Sequence, residues 1–181
     1  MNKLALAIMI LACAPLAQAE SNLPPPDRKA PVVKPAVATV GYTLGEGYFV
    51  KNTHPIPANG ISCLWLAGQA EFDAVFQKTP PLMYQERMPP PVNLDGAVAF
   101  AIIYQGPSVP EMKVASVSVQ GGVATVAYAL NKPKQDGGTA VFAVPLIVVV
   151  KKVDLEKAGG ATRVSFVENG KEVGTAKPQG K

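Results

Sequence analysis

Histidine and cysteine are nearly missing from this chain, with one and two copies in 181 residues. A lone His54 excludes any site built on a histidine pair, the zinc-protease pattern among them. No Gly-x-Ser-x-Gly elbow is present, and a Ser-His-Asp triad would also have to use His54. The glycines of Gly41–Gly47 precede no Lys-Ser or Lys-Thr and lack the third glycine of a dinucleotide turn, so they read as a chain turn. Asp136-Gly137-Gly138 has too few oxygen ligands nearby for a calcium loop. Charge is also thin: 17 Lys and Arg against 13 Asp and Glu give +4. The basic residues are scattered, and only Lys151-Lys152 are adjacent within the folded part. Nucleic-acid binding needs a basic stripe, with interleaved aromatics for single strands, and neither is present. No cofactor or metal motif emerges. Beyond residue 19 no apolar run reaches the roughly 18–20 residues of a membrane-spanning helix.

What is there begins with a leader. Residues 1–19 join Lys3, an apolar stretch from Leu4 to Leu11 and a small-x-small end at Ala17-Gln18-Ala19, the layout of a secretory signal peptide. Ile10-Leu11-Ala12-Cys13 is close to a bacterial lipobox, but the leucine before the alanine fits poorly and the cysteine comes early. The expectation is a soluble exported protein, periplasmic or secreted, with lipidation at Cys13 as the alternative. Cys63 is then the one remaining thiol and can form no internal disulfide, so the fold must rest on its core. The run Ile61-Ser62-Cys63-Leu64-Trp65-Leu66 marks Cys63 as a buried small hydrophobe.

Eighteen prolines punctuate the chain. Five fall in residues 20–38, where they favour extended polyproline and make a tether. Five more lie between Pro80 and Pro91, a stretch that can be neither helix nor central strand and reads as a long surface loop. A single domain runs over 39–175 and contains this loop, with 176–181 as a tail. All 23 valines fall beyond residue 31, enough apolar mass for a real core. The segments from Val40 to Leu44 and from Tyr48 to Val50, around Gly45-Glu46-Gly47, read as a short hairpin. Phe72, Val75 and Phe76 share one face of a helix predicted over 70–78, stopped by Pro80 and Pro81. From Val92 onward the period is two. Met112 and Val114 differ in parity from Val117 and Val119, which predicts a bulge near Ala115. Gly121-Gly122 and Asn169-Gly170 predict tight hairpin turns. Pro145 predicts an edge position or a kink in the apolar segment Val141–Lys152. The sum is a mainly β domain, an antiparallel sandwich-like or rolled sheet with one short helix.

The order of elements over about residues 60–152 carries a resemblance. A buried strand is followed by the helical Ala70–Phe76 and by Asn93-Leu94-Asp95 leading to Gly106. A strand pair around Gly121-Gly122 comes next, then Pro145 before Val148-Val149-Val150-Lys151. This pattern resembles the PrcB-like family of exported bacterial proteins, named for a lipoprotein that accompanies a surface subtilisin-like protease complex. Where that family has a Thr-Gly-Gly-Tyr-type loop, this chain has Gly106-Pro107-Ser108-Val109-Pro110.

Missing catalytic motifs and two proline-stiffened loops point to a non-catalytic module that binds another exported protein, since rigid loops lose little entropy on binding. The resemblance implies a protease as that partner. The candidate binding residues are Pro89, Pro90, Pro91, Gly106, Pro107, Ser108, Val109 and Pro110. The alternatives are a structural envelope protein and a small enzyme using Cys63 with His54.

Overall fold

The computed structural model describes residues 36–80, 89–133 and 140–179. The leader, Cys13, the proline tether up to residue 35, most of the 80–91 loop and the Asp136-Gly137-Gly138 loop lie outside the described residues. The elements run β1 (Ala38–Thr39), β2 (Thr43–Leu44), β3 (Tyr48–Val50), β4 (Ile61–Leu66), α1 (Gln69–Val75), β5 (Phe76–Lys78), β6 (Ala97–Gly106), β7 (Glu111–Gln120), β8 (Val123–Asn131), β9 (Phe142–Lys151), α2 (Lys152–Lys157), β10 (Arg163–Glu168) and β11 (Lys171–Ala176).

A mainly β fold results, and its parts form three layers. Five strands in the order β1-β7-β8-β10-β11 make the first sheet, and four in the order β2-β9-β6-β4 make the second. The third layer is the β3-β5 pair with α1. Strand β6 shows why the middle sheet is covered on both sides. Its even residues Val98, Phe100 and Ile102 belong to the core shared with the five-stranded sheet. Its odd residues Ala97, Ala99, Ala101 and Ile103 belong to a second core with Phe72, Val75 and Phe76. Alternate side chains point to opposite faces, so a run with no polar member is buried twice.

The turns follow the sequence closely. Gly121 and Gly122 have φ of 56° and 77°, and Asn169 and Gly170 have 47° and 87°. Both pairs are type I′, whose twist matches the flanking strands. The bulge falls at Ala115: Val114 pairs with Tyr128 and Ser116 with Ala127, leaving Ala115 without a partner. Pro145 lies where β9 is an edge. Strand β2 covers only Val148 and Val149, and the last bond on that side is from Gly45 N–H to the Ile147 carbonyl. Odd-numbered residues of β9 therefore direct their amides to that side, and at Pro145 there is no amide hydrogen to satisfy.

Four expectations need correction. The helix stops at Val75, three residues early, because Phe76, Gln77 and Lys78 pair with Val50, Phe49 and Tyr48. A seven-residue helix has little stability of its own, and a strand partner easily claims its last turn. Residues 39–50 are not a hairpin: β1 joins β7, β2 joins β9 and β3 joins β5, so this stretch passes from one sheet to the other and then to the third layer. A second helix, α2, follows β9 directly. It ends in a Schellman motif, with Gly159 N–H donating to Glu156 and Gly160 N–H to Leu155. Finally, β8 and β10 are parallel. Strand β9 leaves for the other sheet and runs back there, so the chain re-enters beside β8 in the same direction.

Candidate functional site

A cleft of about 430 Å³ lies between β3, the loop that follows it and the start of β9. It is built from local rules. In β3, Tyr48 and Val50 turn into the outer core, so the alternating Phe49 must point away from it. Tyr48 is fixed by an edge contact with Phe72 at 5.1 Å and by a hydrogen bond from Val92 N–H to its hydroxyl at 2.8 Å. The loop is tied down by Lys51 N–H on the Val75 carbonyl, His54 N–H on Lys51 and Gln105 N–H on Gly60. Pro55 and Pro57 stiffen it. On the far wall, Phe142 opens β9 opposite Gly106. Phe49 is 37% exposed, Phe142 40% and Val141 64%, so three large apolar side chains face solvent along one cleft.

His54 stands between this cleft and a second one of about 470 Å³, which Leu64, Leu66, Ala74 and Val75 line. Its Nε2 lies 3.4 Å from Ser62 Oγ. Burial pushes its pKa below the ordinary histidine value, so the neutral ring is favoured.

Cys63 is separated from His54 by the pleat. Ser62 and Cys63 are neighbours on β4 and face opposite ways: Ser62 faces His54, while Cys63 packs with Ile61 and Trp65 against the inner core. The thiol is half-buried, and burial raises its pKa to about 11. A thiol protonated at neutral pH and turned away from the one histidine does not form a nucleophile–base pair. Its sulfur abuts β11, where a Cβ on Gly174 would come within 2.6 Å of it. On the same inner side, the Tyr128 hydroxyl donates to Glu168 at 3.2 Å, and burial followed by that carboxylate raises the phenol's pKa.

The sequence-derived binding residues fall into two groups that the structure keeps on different layers. Pro89 is half-buried and Pro90 and Pro91 are exposed, in the segment that enters the outer layer through Val92. Pro107 and Val109 are exposed, Ser108 is half-buried, and Gly106 and Pro110 are buried, at the turn from β6 to β7. No hydrogen bond among the described residues joins the groups. Gly106 alone adjoins the cleft, through its pairing with Phe142. Phe49, Val141 and Phe142 were not singled out from sequence. The parity of Phe49 against Tyr48 and Val50 was the available signal.

Among the described residues no group of three His, Cys, Asp or Glu side chains could hold a metal ion. Among them, too, no helix is long and apolar enough to cross a membrane. Comparison with protein-family models, with curated proteins and with solved structures finds no match to this chain.

Proposed function

We propose that this domain is an exported, non-catalytic module that binds another exported protein, and that the cleft between β3 and β9 is where it does so. The observation that carries this reading is the exposure of Phe49, Val141 and Phe142 on the walls of one cleft. Large apolar groups gathered on a surface, rather than scattered, mark interaction sites, and aromatics are enriched at the centres of such sites. The loop that forms the opposite rim is held by backbone bonds and two prolines, so little freedom is lost on binding. Val109 and Pro107 extend the exposed surface beyond Gly106. The resemblance to the PrcB-like family makes a subtilisin-like protease the first partner to test.

The test is capture of exported proteins by the immobilised domain, compared with a Phe49→Ser/Phe142→Ser variant whose fold is checked by circular dichroism. A partner retained by the wild type and lost by the variant is the expected result. Identical profiles for the two would refute the cleft as the binding surface.

A further inference from the structure

The five-stranded sheet has an edge strand, β7, that is covered over less than half its length. Strand β1 pairs with Val119 and Ser118, and Val40 N–H reaches the Val117 carbonyl. There the chain leaves for the other sheet. From Glu111 to Ser116 no described strand lies on the outer side of β7.

The direction of the free groups follows from the register. Asn169 N–H donates to the Tyr128 carbonyl, so even-numbered residues of β8 address β10 and odd-numbered ones address β7. Met112 and Val114 sit opposite Leu130 and Tyr128. Their own N–H and C=O groups therefore point to the open side. Natural sheets protect such an edge with charges and bulges. This one has both: the Ala115 bulge and a Glu111–Lys113 ion pair at 2.8 Å, with side chains 58% and 75% exposed. The two charges have opposite sign, so they repel another strand in some registers and attract it in others.

We propose that the occupant of this edge is a second copy of the same chain, paired antiparallel about a two-fold axis through Met112. In that register Glu111 of each copy faces Lys113 of the other, giving two cross-strand opposite-charge pairs. The two Met112 residues exchange a pair of backbone bonds. The next register with outward-facing groups, centred on Val114, meets the Ala115 bulge and β1. The ladder is short, Glu111 to Lys113 in each copy, so the association is concentration-dependent and weakened by salt.

Sedimentation velocity of the purified protein over a concentration series tests this. The wild type is expected to dimerise. Glu111→Lys and Lys113→Glu each put like charges opposite one another, and each should raise the dissociation constant at least about tenfold. An equimolar mixture of the Glu111→Lys and Lys113→Glu proteins should recover association, because each supplies the charge the other lacks. Both sites are exposed, so circular dichroism should show unchanged folds. A wild type that stays monomeric up to about 1 mM, the weak end of measurable association, would overturn the proposal. So would a dimer that neither substitution weakens, or a mixture that fails to associate.

Discussion

The two faces of the four-stranded sheet are packed in opposite ways. Towards the five-stranded sheet, β6 presents Val98, Phe100 and Ile102, and the facing strands answer with Val117, Val119, Val126 and Phe166. Bulk is shared between two long sheets. Towards the third layer, β6 presents three alanines and Ile103, and over them pack Phe72 and Phe76 from one short helix and the strand that continues it. The rings of those two lie 5.0 Å apart. Small residues on the sheet let a narrow element sit close, and the aromatic mass comes from that element and from Tyr48 of β3. The inner face is therefore spread over many strands, whereas the outer face depends on a few side chains.

The largest expected effect tests that contrast directly. Phe100→Ala should cost about 3–5 kcal/mol and lower the stability of the whole domain in urea. Phe72→Ala removes a similar side chain, but its effect should be local. Amide exchange should quicken at Lys51 and Val92, which are tied to the third layer, while Val126 and Val164 stay protected. Equal acceleration in both layers would erase the distinction.

Next in size is the reverse change. Ala99→Leu adds bulk where Phe72 and its neighbours already fill the space and should cost about 1–3 kcal/mol. Ile102→Leu, on the inner face of the same strand, should cost less than about 1.5 kcal/mol. Thermal melts of the two variants compare the faces at neighbouring positions.

Gly174→Ala should cost about 1–3 kcal/mol, because the new methyl would meet Cys63 Sγ. In a Cys63→Ala background most of that loss should disappear, and a double-mutant cycle measures the coupling. Additive losses would show that the two sheets do not close against each other at β4 and β11.

Two pH effects are smaller and have opposite signs on the two faces of β4. The folded state holds the Cys63 thiol protonated to about pH 11, against an ordinary value of 9.0. The unfolded chain therefore releases its proton first, and stability is full below about pH 9 and declines as pH rises towards 11. Cys63→Ala should remove that decline from alkaline urea titrations. His54 has its pKa lowered by burial, so the unfolded chain takes up the proton first as pH falls below the ordinary histidine value of 6.5. The small loss of stability on that side should vanish in His54→Gln.

Local rules were legible wherever a few adjacent residues settle the outcome. The two hairpin turns, the Ala115 bulge and the edge position of Pro145 all follow from backbone constraints at those positions. Helix α2 also had its signal, since Gly159-Gly160 after Lys157 supplies the Schellman end, but the apolar β9 before it masks the start. The helix boundary at Val75 was not legible: Phe76 is buried whether it ends a turn of helix or begins a strand, and only β3 decides between them. The candidate cleft was legible only in part. Gly106 at its margin was found through glycine and proline, but Phe49 and Phe142 read as ordinary strand residues until their faces are known.

The sequence by itself determined the mainly β class of this protein and the two tight hairpin turns at Gly121-Gly122 and Asn169-Gly170, because both depend on residue type and short-range backbone geometry. Tertiary structure alone decided which strands share a sheet, that β8 and β10 run parallel, that Cys63 and His54 look away from each other, and that three apolar side chains meet at one cleft. Those outcomes depend on contacts between residues far apart in the chain, and their strand periodicity is compatible with many pairings until a common core selects one.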